Sequence, residues 1–311
     1  MAIKKIPYAD HDEWLKIRKQ YIGGSDAGAI IGMNPYSSPF SVWAEKIGQI
    51  SSFEGNVTTK VGNYLEEFVA QMFEDETGKK VRRCNFTLVN DQYPWACANI
   101  DREIVGEDAL LECKTTNSYV NVKRFRQGEY PEQWYAQMTH YLAVTGKKKA
   151  YLAVLSECKE FRTFELDRDE AEIKALMDAE KDFWNKYVIG HIPPPIDGTA
   201  PTSEAIKRVF MTDDGVEISL PGVRDLLDQR KYLNENINGL KEAKDRIENQ
   251  IKVMMGPAPK AICGSYTISW AEQRTSGLDR EKIKRDYPGF DFKKYQSISR
   301  VFRITEKRSR S

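Results

Sequence analysis

The sequence predicts an α/β (α+β) fold in which helices flank a central mixed sheet, followed by a long C-terminal helix and a small β appendage. Three observations lead to this prediction. Helical and strand-like hydrophobic periods alternate along the first part of the chain, in the order helix, three strands, helix, two strands, helix. A proline-rich stretch, HIPPPIDGTAPT, interrupts this pattern at 191–202. Beyond it, apolar residues recur every seven positions, which is typical of a coiled-coil-like helix.

The N-terminal segment predicts two short helices. The first is DHDEWLKIRKQ at 10–20. A Gly-Gly turn then precedes Ser25 and Asp26, which are typical of a helix start, and Asn34-Pro35 ends this second helix.

A further helix is predicted at 62–77, because four apolar side chains there fall on one helical face. They are Leu65, Val69, Met72 and Phe73. Glu66 lies at the edge of that face, and Gly78 supplies the C-terminal stop. The remaining predicted elements of the core are strands at 84–90, 95–105 and 109–116, a helix at 130–145, strands at 149–156 and 161–167, and a helix at 168–189.

The C-terminal region is predicted to contain one helix at about 222–255 with an apolar seam. One set of seam positions is Leu226, Leu233, Leu240, Ile247 and Met254, and the other is Val223, Ile237 and Ile251, interrupted by Arg230 and Lys244. Gly239 could split the segment into a hairpin, but the unbroken repeat favours a single helix. The seam could pack on the core, pair with another copy or dock a partner protein, and the residues do not choose among these.

These patterns divide the chain into a core at 1–191, a proline-rich linker at 192–202 and a C-terminal region at 203–311. The last segment predicts a strand, a short helix and a strand, and its end is basic. The basic residues are Arg300, Arg303, Lys307, Arg308 and Arg310.

Composition limits the functional classes. The 47 basic and 46 acidic side chains nearly cancel, so any nucleic-acid binding would depend on local patches. Five cysteines without a CxxC pair and three scattered histidines give no zinc signature, which favours a reduced, cytoplasmic protein. No signal-peptide pattern is present, and no apolar stretch approaches the roughly 20 residues that span a bilayer.

The stretch ANIDREIVGEDALLECKTT places charged side chains in an otherwise apolar hairpin. If Val105 pairs with Leu110, Asp101 lies opposite Lys114, and the two-residue period places Glu112 on the same face. One face then carries two carboxylates and an ammonium. A shift of register by one residue would separate them.

Two interpretations of this face are possible. The first is an ordinary ion pair at a strand edge. The second is a magnesium site, because hard divalent cations take oxygen ligands and two carboxylates on adjacent strands can hold one beside a phosphate. The ammonium would then activate the attacking water and oppose the charge that develops on phosphorus.

Four motifs follow one another along the chain: Glu66 in GNYLEEF, Asp101 in ANIDRE, Glu112-Cys113-Lys114 in LLECKTT and Gln137 in YPEQWYAQMTHYLAVTG. Their order resembles the PD-(D/E)xK nuclease superfamily, and more narrowly the YqaJ viral recombinase family, relatives of the lambda-type phage exonuclease. The resemblance covers about residues 10–190, including WLKIRKQYIGGSDAGAIIGMNPYSSPFSVWAEKIG near the N-terminus. Ile100 replaces the usual proline, but metal binding needs the carboxylate and not the proline.

The resemblance implies a PD-(D/E)xK core and a role for each residue. Asp101 and Glu112 would bind Mg²⁺, for which Mn²⁺ could substitute, with the backbone carbonyl of Cys113 as a further ligand. Glu66 would reach the metal ions or their waters. Lys114 would activate the attacking water.

Three more residues receive roles in the same way. Gln137 would position the lysine or the substrate, and Arg18 and Ser25 resemble the positions that hold the terminal 5′-phosphate in the lambda-type enzymes. Independently, Ser25 lies where free N–H groups of a helix start can receive an anion. Considered alone, these would be a partly exposed amide, a surface arginine and an N-cap, so their roles depend on the resemblance.

The implied function is a magnesium-dependent exonuclease that resects double-stranded DNA ends 5′ to 3′. It would leave 3′ single strands for a single-strand annealing recombinase in phage or prophage recombination, and would form a ring-shaped homo-oligomer. Two alternatives stay open. One is an endonuclease of the restriction or Cas4-like type, although the cysteines lack the grouping of an iron–sulfur site. The other is a silent module that binds DNA ends or a partner through the long helix and basic tail.

Overall fold

The chain forms two compact units in a computed structural model that describes residues 2–51, 55–272 and 280–291. The first unit is Met1–Met211 and the second is Thr212–Ser311. The first unit has the predicted α/β architecture, in which helices flank mixed sheets.

The helices of the first unit begin and end at recognisable signals. Asp10 caps the first helix by accepting a hydrogen bond from the backbone of Glu13, and Gly78 ends the fourth with a left-handed φ of 70°. The helices are α1 (His11–Lys19), α2 (Gly24–Ile30), α3 (Pro39–Lys46), α4 (Val57–Thr77), α5 (Tyr119–Arg126), α6 (Glu132–Thr145), α7 (Glu170–Phe183) and α8 (Ala200–Val209). The helix predicted at 168–189 is α7 followed by a π-helical turn at Trp184–Ile189.

The strands of this unit form two sheets. They are β1 (Ile3–Pro7), β2 (Ile22–Gly23), β3 (Val81–Arg83), β4 (Phe86–Asn90), β5 (Ala96–Ala98), β6 (Arg102–Ile104), β7 (Ala109–Thr116), β8 (Lys149–Ser156) and β9 (Glu160–Asp167). The smaller sheet has the order β1-β4-β5-β2 and the larger has the order β3-β6-β7-β8-β9. In the larger sheet β7 and β8 are parallel, and α5 and α6 provide the crossover that a parallel pair requires.

The single strand predicted at 95–105 is divided between the two sheets. β5 pairs with β2 and β4, whereas β6 pairs with β3 and β7. The chain therefore crosses from one sheet to the other over residues 99–101. The hydrophobic pattern does not reveal this break, because both sheets bury the same kinds of residue. The break places Asp101 where the chain enters the larger sheet.

The register predicted for the hairpin of β6 and β7 is wrong by two residues. Val105 lies in the turn, and Glu103 is the residue that pairs with Leu110. A shift of two residues keeps every side chain on its original face. The predicted same-face grouping is therefore present, with Asp101 beside Glu112.

Buried apolar residues cover both faces of the larger sheet. One cluster includes Leu110 and Leu152 with Met138 of α6. A second includes Leu111 with Phe73 of α4. Because successive strand residues point to opposite faces, β7 contributes to both clusters. Helices α4 and α6, which carry two of the predicted site residues, are thereby fixed against this sheet.

Helix α8 packs as part of the first unit. Its Ala205 is 3% exposed and joins a cluster with Phe40 and Trp43 of α3. The division predicted at 202/203 therefore falls inside a helix, and the first unit ends at Met211. The proline-rich composition marks the irregular segment before α8, but it does not mark the end of the packed unit.

The second unit contains the predicted long helix and β appendage. Its elements are a 3₁₀ turn (Pro221–Val223), α9 (Arg224–Met255), the hairpin β10 (Lys260–Cys263) and β11 (Tyr266–Ser269), and α10 (Arg280–Asp286). Gly239 does not break α9. The final predicted strand and the basic residues Arg300, Arg303, Lys307, Arg308 and Arg310 lie outside the described residues. Within the described ranges, no helix has both the length and the apolar content needed to cross a membrane.

Candidate active site

Asp101 and Glu112 lie together at the edge of the larger sheet. The backbone N–H of Cys113 donates to Oδ2 of Asp101 at 2.7 Å, and Glu112 is 3% exposed. Burial raises the pKa of Asp101, and the nearby carboxylates of Glu112 and Glu66 raise it further. Burial also raises the pKa of Glu112, although the ammonium of Lys114 opposes this effect. The site thus concentrates negative charge at a free-energy cost.

The two carboxylate oxygens of Glu112 have different surroundings. Oε1 accepts hydrogen bonds from Nζ of Lys114 at 2.6 Å and from Nε2 of Gln137 at 2.7 Å. Oε2 is buried, and no group in the described part of the chain donates a hydrogen bond to it. Buried carboxylate oxygens without a partner are rare, because they lose the hydrogen bonds that water would supply. Oε2 is therefore available to accept a ligand.

Lys114 carries a positive charge in this site. Burial lowers the pKa of its ammonium, but Glu112 and Asp101 act in the opposite direction and the pKa lies above its ordinary value. Lys114 is therefore a cation at neutral pH and does not serve as a general base in this state. A fixed ammonium at this point can stabilise negative charge that develops during a reaction.

Glu66 of α4 is held by Arg102, the residue that follows Asp101. Nη1 of Arg102 donates to Oε1 of Glu66 at 2.6 Å and to the backbone carbonyl of Asp101 at 2.7 Å. Nη2 donates to Glu67 at 3.0 Å. Arg102 is only 3% exposed. Its hydrogen bonds join α4 to the start of β6. Glu66 is close enough to raise the pKa of Asp101, while its hydrogen bond goes to the arginine.

The chemistry of these donors fits a hard divalent cation. The carboxylates of Asp101 and Glu112 and the carbonyl of Cys113 offer oxygen, which Mg²⁺ and Mn²⁺ prefer. A cation would also satisfy Oε2 of Glu112 and reduce the repulsion between the carboxylates. Across residues 2–51, 55–272 and 280–291, no group of three or more His, Cys, Asp or Glu side chains is arranged to hold a metal ion. The remaining ligands would therefore come from water and substrate, as is usual for Mg²⁺.

A second charged cluster lies at the start of α2. Nη2 of Arg18 donates to Oγ of Ser25 at 2.5 Å and to Oδ1 of Asp26 at 3.3 Å. Oδ2 of Asp26 contacts Nζ of Lys46 at 2.7 Å and accepts from the N–H of Gly23 at 2.9 Å. Burial alone would raise the pKa of Asp26, but Lys46 and Arg18 hold it well below its usual value. Asp26 thereby fixes the arginine beside Ser25.

This cluster has an unused donor. Arg18 and the fully buried side chain of Lys46 both pair with Asp26, and the nearby carboxylate of Glu45 also acts on Arg18. Nε of Arg18 is buried, and it has no hydrogen-bond partner among the residues that the structure describes. An arginine with a free, desolvated N–H beside a hydroxyl suits an anion such as phosphate. We refer to Arg18, Ser25, Asp26 and Lys46 as the anion cluster.

The anion cluster and the carboxylates meet through α6. Gln137 donates to Glu112 and, at 3.0 Å, to Oη of Tyr141. Gly24, which precedes Ser25, packs on the same two side chains of α6. A Cβ at Gly24 would lie 3.0 Å from Cγ of Gln137 and would overlap the ring of Tyr141. Helices α2 and α6 approach this closely because glycine has no side chain.

Replacing Gly24 by alanine is expected to destabilise the first unit by about 1–3 kcal/mol, because the added methyl group overpacks the contact with Tyr141. Thermal unfolding measures the change. Gly198→Ala is the matched control, since a Cβ there would meet nothing within 4 Å. Equal unfolding temperatures for Gly24→Ala and the wild type would contradict this packing of α2 on α6.

Four residues of these clusters were not assigned to the site from the sequence: Asp26, Lys46, Arg102 and Tyr141. Tyr141 does carry a usable signal, because it lies four residues after Gln137 and so on the same helix face. Arg102 adjoins Asp101 in the chain, but its contact with α4 follows only from the fold. Lys46 meets Asp26 through the packing of α2 and α3, which no local pattern encodes.

Comparisons with known proteins identify the family and the fold. Residues 13–148 match the YqaJ-like viral recombinase domain. The protein YqaJ of Bacillus subtilis is 38% identical over 311 residues, which cover 98% of this chain and 97% of the relative. The match thus includes both units of the chain.

Solved structures have the same fold at lower identity. The alkaline exonuclease LHK-Exo from Laribacter hongkongensis superimposes with a TM-score of 0.51 at 20% identity, covering 58% of this chain and 94% of that one. LHK-Exo in complex with dAMP gives a TM-score of 0.52 at 19% identity, covering 63% and 96%. The fold is that of the PD-(D/E)xK-type phage exonucleases. Because YqaJ is 38% identical over nearly the whole length of both chains, and residues 13–148 match the family's domain, the chain belongs to the YqaJ-like viral recombinase family.

Proposed function

We propose that this chain is a metal-dependent deoxyribonuclease with Mg²⁺ as its cation, for which Mn²⁺ can substitute. The observation that carries the proposal is the environment of Glu112. One of its oxygens is held by Lys114 and Gln137, and the other is buried without a partner next to Asp101. Two carboxylates that hold a cation beside a fixed ammonium are suited to phosphodiester hydrolysis.

Each side chain has a separate task in this proposal. Asp101 and Glu112 would hold the cation with the carbonyl of Cys113, and Glu66 would reach its water shell. When bound, the cation supplies a Lewis acid that neutralises charge on the scissile phosphate. Gln137 fixes the orientation of Glu112 through Oε1, which leaves Oε2 available. Lys114 keeps its proton, and its charge favours loss of a proton from the attacking water.

The relatives support an exonuclease within this class. LHK-Exo, which shares the fold, is named an alkaline exonuclease and has been crystallised with dAMP. The family domain is described as a viral recombinase. We therefore assign the chain to resection of linear duplex DNA in phage or prophage recombination.

The anion cluster would give this exonuclease its direction. A terminal 5′-phosphate bound by Arg18 and Ser25 would lie near Glu112, because Gly24, which precedes Ser25, packs on Gln137 and Tyr141, and Gln137 donates to Glu112. Hydrolysis would then proceed 5′ to 3′ and leave a 3′ single strand. An endonuclease would have no use for a site that binds a terminal phosphate.

The product suggests the partners. A 3′ single strand is the substrate of a single-strand annealing recombinase, so a protein of that class is the proposed partner. The resemblance to the lambda-type exonucleases implies a ring-shaped homo-oligomer around duplex DNA, and we propose the same for this chain.

The proposal is tested on linear and covalently closed circular duplex DNA, each labelled, with Mg²⁺ or with EDTA. We expect the linear DNA to be degraded only with Mg²⁺, with 5′ label released before 3′ label, and the circle to stay intact. Nicked circles would favour an endonuclease on the same core. If folded protein with Mg²⁺ or Mn²⁺ cuts neither substrate, the chain is a binding module.

Arg18→Ala is expected to remove a preference for 5′-phosphorylated ends. A hydrogen bond to a charged group contributes roughly 1.5–3 kcal/mol, so the rate advantage of phosphate over hydroxyl ends should fall about tenfold to a hundredfold. Initial rates on matched duplexes measure this ratio. Lys16→Ala is the control, because it removes an exposed cation from the same helix. Equal wild-type rates on both ends would remove the phosphate site from the proposal.

A further inference from the structure

Helix α9 presents a continuous apolar seam to solvent. Its five positions at seven-residue intervals are between 57% and 85% exposed. They are Leu226, Leu233, Leu240, Ile247 and Met254. Ile237, in the companion set, is 59% exposed. In heptad notation these five residues occupy the d positions. The a positions are occupied by Val223, Arg230, Ile237, Lys244 and Ile251.

An apolar face of this length is not expected to remain in water. The helix has 32 residues, and a seam of more than four heptads is the pattern of a coiled coil. Pairing two such helices would bury roughly 800 Å² on each, which is the size of a standard stable interface. Gly239 lies at an outer c position, where a Cβ would meet nothing within 4 Å, so it does not interrupt the seam.

The two cations at a positions determine whether two copies of α9 can pair in a parallel or an antiparallel orientation. In a parallel pair, equivalent a positions face each other, so Arg230 would face Arg230 and Lys244 would face Lys244. Two layers of like charge in an apolar seam are strongly unfavourable. In an antiparallel pair, a positions face d positions instead.

An antiparallel register centred between Asn238 and Gly239 removes both contacts between like charges. It sets Ile237 against Leu240 of the second copy at the middle of the seam. Each cation then faces an aliphatic side chain, Lys244 against Leu233 and Arg230 against Ile247.

The same register brings opposite charges together. Glu248, at an e position, already pairs with Lys244 of its own helix at 3.0 Å. In the antiparallel register it also lies beside Arg230 of the second copy, which forms no ion pair within the described part of this chain. The seam is thus complementary to itself in one orientation only.

We propose that α9 is a homodimerisation helix that forms an antiparallel coiled coil with α9 of a second copy. The observations that carry this proposal are the exposed seam, the cations at two a positions and the acid Glu248 at an e position beside Lys244. The proposal is independent of the nuclease activity.

Orientation is tested by pulsed electron–electron resonance on the full-length chain. Nitroxides are attached through an encoded non-natural residue, so that the native cysteines are untouched. The positions are Asp225 and Gly239, both c positions outside the seam. At 1.5 Å per residue, the antiparallel register separates the two labels at 225 by about 40 Å along the axis and keeps those at 239 within roughly 25 Å. A short distance at both positions means a parallel pair and overturns the proposal.

Dimerisation is tested by sedimentation of the full-length chain. Leu240→Glu should raise the dimer dissociation constant on the order of 100-fold, because it places two carboxylates in the central layers of the seam. Val253→Glu is the matched control, since it puts the same charge at an outer c position that is 82% exposed, and its effect should stay within about threefold. A chain that is monomeric at about 100 μM, or an assembly of any size whose mass Leu240→Glu leaves unchanged, overturns the proposal. The resonance distances are measured on a chain with an intact seam, so they decide the matter even if Leu240→Glu unfolds α9.

Discussion

Lys114→Ala is expected to reduce DNA cleavage by roughly a hundredfold to a thousandfold, while DNA and metal binding persist. The ammonium lies 2.6 Å from Glu112 and its charge acts on both Asp101 and Glu112, so its loss removes stabilisation of the charge that develops on phosphorus. The carboxylates of Asp101 and Glu112 remain in the variant. Single-turnover cleavage at saturating enzyme separates this chemical effect from any change in DNA binding.

A matched lysine on the same sheet serves as the control. Lys149 begins β8 and pairs with Glu165 at 2.6 Å. Lys114 lies beside Val154, towards the other end of the same strand. Lys149→Ala should therefore cleave at about the wild-type rate. If the folded Lys114→Ala variant also cleaves at the wild-type rate, the catalytic role assigned to Lys114 is wrong.

Asp101→Asn is expected to abolish Mg²⁺ binding and cleavage while stabilising the metal-free chain. The substitution removes a cation ligand, and it also removes a buried carboxylate that is repelled by Glu112 and Glu66. The amide oxygen can still accept the hydrogen bond from Cys113. The gain should be about 1 kcal/mol, which corresponds to an increase of roughly 2–4 °C in unfolding temperature.

The gain from Asp101→Asn should depend on pH. Because the pKa of Asp101 is raised in the folded state, the folded chain binds this proton more tightly than the unfolded chain does. The charged carboxylate of Asp101 destabilises the folded wild type. This destabilisation is absent below the ordinary aspartate pKa and complete above the raised pKa. The advantage of the variant should therefore grow as pH rises through that window and disappear in acid.

Adding Mg²⁺ should reverse the order of stability. At ten times its dissociation constant, a bound cation stabilises the wild type by about 1.4 kcal/mol, and the variant gains nothing. Asp178→Asn is the control, because it alters an exposed pair with Lys174 at 2.5 Å and should change stability by at most about 0.5 kcal/mol. Equal stabilisation of Asp101→Asn and the wild type by Mg²⁺ would reject the ligand role.

Local patterns predicted most of the elements, because each depends on a short-range rule. The helix that carries Glu66 follows from apolar spacing and a glycine stop, and Gly78 does end it in the left-handed conformation. The hairpin shows how far such rules extend. Its register was wrong by two residues, yet Asp101 and Glu112 still share a face because side-chain direction repeats every two residues.

The contacts that complete the site could not be predicted in this way. Arg102 meets Glu66 across 36 positions of sequence, and Lys46 reaches Asp26 only because α2 and α3 pack together. The break between β5 and β6 was missed because an apolar alternation looks the same in one sheet as in two. Packing between distant segments, and not propensity, determines these features.

The central claim, that Asp101 and Glu112 hold a divalent cation, is tested most directly by anomalous diffraction from crystals grown or soaked with Mn²⁺. The expected result is an anomalous peak within about 2.0–2.3 Å of Oε2 of Glu112 and a carboxylate oxygen of Asp101, with water completing the coordination. Crystals of the Asp101→Asn variant that are prepared with Mn²⁺ in the same way should lack the peak. A wild-type enzyme that cleaves DNA with Mn²⁺ while its peak lies elsewhere, or whose crystals have no peak at these two carboxylates, would contradict the claim.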